Sequence, residues 1–118
     1  MRKILFALLL LLQTLHGHAQ TDFCRNAKQS VLIDVRTEDE YAAGHIAGAL
    51  NLPLERLATD IGTIRGLHHR SAILVYCRTG NRSAQARAIL SNRGYANVTD
   101  GGSISTLVPR LQACGESR

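Results

Sequence analysis

The sequence has 118 residues, 14 of them Lys or Arg against 9 Asp or Glu, and 45% are hydrophobic. That length suits one small domain with one core and excludes a two-domain enzyme. The formal charge is +5, but Arg2 and Lys3 stand in a leader-like N-terminus. The other basic residues are scattered and aromatics are few, so nucleic-acid binding has no support.

The chain opens with Arg2-Lys3, an apolar run from Ile4 to Leu12, and small residues at Gly17 and Ala19. This is the pattern of a secretory signal, and the run is too short to cross a bilayer as a helix. Cleavage after Ala19 is expected, which makes 1–19 a signal peptide and leaves 12 basic against 9 acidic residues. No membrane segment remains after that cut.

Export puts Cys24, Cys77 and Cys114 in an oxidising compartment, where a free thiol needs a reason. Cys24 and Cys114 lie near opposite ends of the mature chain, and domain termini are often neighbours in space. A disulfide between them, with Cys77 free, is the economical arrangement. A resolving-thiol role for Cys114 is the alternative.

Residues 20–30 are polar and read as a loose arm. Val31 to Val35 is an apolar run broken only by Asp34, the pattern of a central parallel strand buried on both faces. Thr37 followed by Glu40 is a capping box, and the short helix it starts is expected to end at Gly44. The small-residue segment from Gly44 to Pro53 leaves room for a brief strand near Ala49. Leu54, Leu57, Ala58, Ile61 and Ile64 then have amphipathic helical spacing. His68-His69 falls in a turn without further spaced ligands, so no metal site is expected.

Ala72 to Tyr76 is a second buried strand, and it delivers Cys77. The loop Cys77-Arg78-Thr79-Gly80-Asn81-Arg82-Ser83 follows, with a helix predicted from Ser83 to Arg93 and a stop at Gly94. Backbone N–H groups of such a loop can form an anion nest, and the helix start adds orphan donors and positive potential. A cysteine facing them is held as thiolate, the nucleophilic form, while Arg78 and Arg82 supply planar donors for an oxyanion. A structural cysteine before a solvated turn is the plain alternative, which two arginines and a glycine packed behind the thiol disfavour. Asn97 to Thr99 is read as a short strand, Gly101-Gly102 as a sharp turn, and Ser103 to Ala113 as a final helix with a break at Pro109. Strands alternating with helices describe an open α/β domain with a mainly parallel sheet flanked by helices, its ligand beyond the strand C-termini.

Three segments stand together: Leu32-Ile33-Asp34-Val35-Arg36, Gly44-His45-Ile46 with Gly48 to Pro53, and Val75 to Ser83. This set resembles the rhodanese, or thiosulfate sulfurtransferase, family in its single-domain, periplasmic phage-shock-type form. The resemblance covers Val31 to Pro109. It implies a rhodanese domain over 31–113 with a tail at 114–118, in the periplasm of a Gram-negative bacterium.

It further implies that Cys77 takes the sulfane sulfur of a small anionic donor such as thiosulfate. A thiol or cyanide would then remove that sulfur from the Cys77 persulfide. Backbone N–H groups from Arg78 through Thr79, Gly80, Asn81 and Arg82 to Ser83 would hold the sulfur, and Arg78 and Arg82 the sulfonate. Asp34 and Arg36 take a supporting role, His45 an architectural one, and no cofactor is needed.

Cysteine phosphatases use Cys-x5-Arg, whereas here only four residues separate Cys77 from Arg82. The tighter ring disfavours phosphatase or arsenate reductase chemistry. A persulfide carrier or redox partner with little free-thiosulfate turnover is the main alternative. A non-catalytic interaction module is the lesser one, since such modules usually lack the cysteine.

Overall fold

A computed structural model describes residues 19–115. The expected signal segment lies outside them except for Ala19, as do residues 116–118. Four strands form one parallel sheet in the order β2-β1-β3-β4: β1 (Val31–Asp34), β2 (Leu50–Asn51), β3 (Ile73–Cys77) and β4 (Val98–Ser103). The helices are α1 (19–29), α2 (Glu38–Ala43), α3 (Leu54–Asp60), α4 (Asn81–Asn92) and α5 (Ile104–Gln112).

Parallel pairing requires crossovers, which bury the central strands on both faces. Alternate residues therefore serve two cores. Ile33, Val35, Ile73, Val75 and Cys77 pack with Leu57, Ala86, Leu90 and Tyr95, on the face covered by α3 and α4. Leu32, Leu74 and Tyr76 pack with Ala27, Leu107 and Leu111, on the face covered by α1 and α5. Cys77 thus leaves β3 toward the start of α4. The chain steps outward from β1 in one direction to β2 and in the other to β3 and β4. The carboxyl ends of β1 and β3 meet at that switch point, where open α/β sheets place their ligands.

Several sequence expectations are corrected. The N-terminal arm is not loose: residues 19–29 are helical, Phe23 and Ala27 pack into the α5-side core, and Arg110 lies 3.8 Å over the Phe23 ring. One expectation in the same region stands: Cys24 is joined to Cys114 across a sequence separation of 90, with Cα atoms 5.5 Å apart, and Cys77 is free. The Leu54–Ile64 helix is divided into α3 and a 3-10 turn over Ile61–Thr63.

Helix α4 begins two residues earlier than Ser83, because Gly80 takes the N-cap position. Gly101-Gly102 is not a turn but part of β4, where the register against β3 slips between Val75 and Cys77. A side chain at Gly101 would meet Val75 O at 2.9 Å, so glycine here serves close approach. Pro109 does not break α5. It and Ser105, whose carbonyl loses its helical donor, are both exposed, and water can take that acceptor.

The capping box stands as expected: Glu40 N–H donates to Thr37 Oγ1 at 3.2 Å and Thr37 N–H to Glu40 Oε1 at 3.1 Å. Among the described residues no helix is long and apolar enough to cross a membrane.

Candidate active site

Cys77 is the last residue of β3 and is fully buried. The chain turns back over it through exposed Arg78 and Thr79 to Gly80, whose φ of +102° favours glycine. That turn aims two backbone donors at the sulfur: Gly80 N–H at 2.9 Å and Ser83 N–H at 3.3 Å from Sγ. The Ser83 hydroxyl, also buried beside the thiol, donates to Gly80 O at 3.0 Å and braces the turn. Both donors belong to the unpaired N–H groups at the start of α4, so the positive end of its dipole faces the sulfur.

Burial alone would push the Cys77 thiol up. The nearby Ser83 side chain and the N–H groups of Ser83, Gly80 and Thr79 together outweigh it, and the thiol is held below its ordinary value. The arrangement stabilises a sulfur anion at the buried Cys77.

The two loop arginines differ. Arg78 is exposed and has no carboxylate partner among the described residues. Arg82 makes a bidentate pair with Glu40, NH1 to Oε1 at 2.7 Å and NH2 to Oε2 at 3.0 Å. The hydrogen bonds from Arg82, strengthened by those from Thr37, hold the Glu40 carboxyl down at about 2. Glu40 is the site residue that sequence reading took only for a helix cap. Its pairing spans 42 positions and left no local signal.

Asp34 and Arg36 form a buried pair beneath the same edge. Arg36 Nε donates to both carboxylate oxygens at 3.0 Å and NH2 to Oδ2 at 2.7 Å. NH2 also donates to Gly44 O at 2.6 Å, and Asn51 Nδ2 donates to the Asp34 and Arg36 carbonyls at 3.0 Å. The hydrogen bonds that Arg36 donates to the Asp34 carboxylate raise its guanidinium above its ordinary value. The pair ties the end of β1 to the α2–β2 connection and forms no hydrogen bond with the sulfur.

His45 stacks on Tyr41, with ring centroids 3.6 Å apart, and its Nδ1 lies 2.9 Å from Tyr41 O. Tyr76, the neighbour of Cys77, points to the other face, where its hydroxyl accepts from Ile46 N–H at 3.1 Å. A cleft of about 410 Å³ opens beside the loop, walled by Thr37, Asp39, Leu54, Arg56 and Arg82; Cys77 is not part of its wall. His69 leans against Tyr95 at 4.7 Å between centroids, and no group of His, Cys, Asp and Glu among the described residues could hold a metal.

A family profile described as "Rhodanese-like domain" matches residues 21–102. The chain is 37% identical to thiosulfate sulfurtransferase PspE of Escherichia coli (strain K12) over 85 residues, 68% of this chain and 77% of that protein. It is 40% identical to thiosulfate sulfurtransferase GlpE of Pseudomonas entomophila (strain L48) over 78 residues, 64% of this chain and 69% of that one. Among solved structures, a rhodanese with anions from E. coli superposes with a TM-score of 0.62 at 35% identity, over 65% of this chain and 89% of that chain. A rhodanese-related protein from Thermoplasma volcanium gives 0.63 at 32% identity, over 76% and 87%.

Proposed function

The chain belongs to the rhodanese-like family, and from that premise we propose that it is a thiosulfate sulfurtransferase working through a persulfide on Cys77. The observation that carries this reading is the pair of backbone donors on Sγ, from Gly80 at 2.9 Å and Ser83 at 3.3 Å. The Cys77 thiolate attacks the outer sulfur of thiosulfate. The S–S bond of the donor breaks, sulfite leaves with the electron pair, and the transferred sulfur stays as a persulfide anion. An acceptor thiolate or cyanide then attacks that outer sulfur, and Cys77 departs as thiolate.

The donors on Sγ favour the thiolate, the form that attacks, and so take over part of the work of a general base. The residues from Arg78 through Thr79, Gly80, Asn81 and Arg82 to Ser83 line the anion nest. Arg78 is the cation that meets the sulfonate of the donor. Asp34 and Arg36 hold the edge of the sheet under the loop.

The protein acts in the periplasm after removal of 1–19. The Arg2-Lys3 and Ile4 to Leu12 pattern supports this, as does a Cys24–Cys114 disulfide suited to an oxidising compartment. The test of activity is thiocyanate formation from thiosulfate and cyanide by the mature protein and by Cys77→Ser. Turnover by the parent and none by the variant is expected; equal turnover by both refutes the mechanism. If the parent takes up one sulfur but releases no thiocyanate, the carrier reading replaces the enzyme.

A further inference from the structure

Glu40 makes more bonds than a helix cap requires. Its Oε1 accepts from Thr37 N–H and Thr37 Oγ1, both at 3.1 Å, which completes the capping box of α2. The same carboxylate takes both terminal nitrogens of Arg82, at 2.7 and 3.0 Å. Arg82 stands next to Ser83, whose N–H holds the Cys77 sulfur, and lies in the first turn of α4. One carboxylate thus couples the start of α2 to the turn that carries the thiolate donors.

The charges follow the same division. A bidentate carboxylate cancels Arg82 at close range, while Arg78 in the same loop is exposed and without a carboxylate partner among the described residues. Two free guanidinium groups around one thiolate would lower the thiol further, and nucleophilicity falls as the thiol becomes more acidic.

We propose that Glu40 is a positioning residue of the sulfur-transfer site: it fixes the Asn81–Ser83 turn through Arg82 and cancels that arginine's charge, leaving Arg78 to select anionic donors. The inference rests on Cys77 being the nucleophile, as proposed above, but not on thiosulfate being the donor. Its test therefore uses alkylation rather than turnover.

Cys77 is the free thiol of the chain once Cys24 and Cys114 are bonded. Alkylation of the folded, oxidised protein by neutral iodoacetamide and anionic iodoacetate reads the field at its sulfur. The ratio of the iodoacetate to the iodoacetamide rate is compared among the parent, Arg78→Gln, Glu40→Gln and the double variant Glu40→Gln/Arg82→Gln. Glutamine at 40 can still serve the capping box, so α2 keeps its start; circular dichroism checks it.

Arg78→Gln is expected to lower the ratio by roughly threefold, the scale of one partly screened charge within a Debye length. Glu40→Gln should raise it by roughly threefold, an increase that added salt removes, because the Arg82 charge is uncovered. The double variant should keep the parental ratio, yet its iodoacetamide pH profile should move to higher pH as the turn slackens. Glu40→Asp, which keeps the charge, should restore the ratio.

A double variant that loses as much of the ratio as Arg78→Gln would assign Arg82 directly to the anion and overturn the proposal. An unchanged ratio in Glu40→Gln would do the same. A parental pH profile in the double variant would reduce Glu40 to a helix cap. Thiocyanate formation by the parent, measured alongside, reports separately on the sulfurtransferase reading.

Discussion

Replacing Gly80 by alanine tests how the loop lowers the thiol. Gly80 has φ of +102°, outside the range an L side chain adopts without strain, while the nearest atom to an added Cβ is Ser103 N at 4.0 Å. Space is therefore available and the cost is conformational, about 1–2 kcal/mol. Relief of that strain rotates the 79–80 peptide and withdraws the N–H now 2.9 Å from Sγ. A hydrogen bond to a charged group contributes about 1.5–3 kcal/mol, and about 1.4 kcal/mol corresponds to one pKa unit. Gly80→Ala is accordingly expected to raise the Cys77 thiol and to lower the melting temperature by about 5–10 °C.

The thiol is followed by thiolate absorbance near 240 nm and by the pH dependence of iodoacetamide labelling, the melting temperature by circular dichroism. An unchanged thiol titration in a destabilised variant would show that the Gly80 N–H does not hold the thiolate. An unchanged melting temperature together with an unchanged titration would show that the turn adapts without strain.

Three further outcomes are expected. Removing the Cys24–Cys114 bond by replacing both cysteines with serine should cost about 2–4 kcal/mol, since the bond closes nearly the whole domain into a loop. Sulfur transfer at 25 °C should survive, and a urea midpoint equal to the parent's would contradict that cost. Gly101→Ala places a Cβ 2.9 Å from Val75 O and 3.1 Å from Leu107 Cδ2, so about 1–3 kcal/mol should be lost in urea denaturation; an unchanged midpoint would mean that the β3–β4 irregularity yields freely.

The Glu40 carboxyl, held at about 2 when folded and near its ordinary value of 4.5 when unfolded, contributes stability that is fully present above about 4.5. That contribution is lost as pH falls toward about 2. With its side chain 23% exposed, it should amount to about 1 kcal/mol. Glu40→Gln should therefore show a shallower loss of stability across that acid window, and parallel curves would refute the assignment.

The parts of the fold that were legible in the sequence are those decided locally. The run Val31 to Val35, broken only by Asp34, and the run into Cys77 read as buried strands, and the structure buries nearly all of both. The cysteine, the glycine and the helix start behind them are neighbours in the chain, so the nest could be read without tertiary knowledge. Helix α1 escaped notice because its buried stripe is only Phe23 and Ala27 on an otherwise polar segment. Its partners, Leu107, Leu111 and Cys114, lie at the far end of the chain. Gly101-Gly102 looked like a turn because glycine usually marks one; here the requirement is a strand passing close to Val75 O. Glu40 signalled its cap three residues from Thr37 but not its pairing with Arg82, which only the packing of α2 beside the loop creates.

Persulfide formation at Cys77 is tested most directly by mass spectrometry of the protein beginning at Gln20 after treatment with thiosulfate, with the adduct mapped to its peptide. One added sulfur on the peptide containing Cys77, released as thiocyanate by cyanide and absent from Cys77→Ser, is the expected result. No added sulfur on Cys77, or an adduct formed equally by the serine variant, would contradict the sulfur-transfer mechanism.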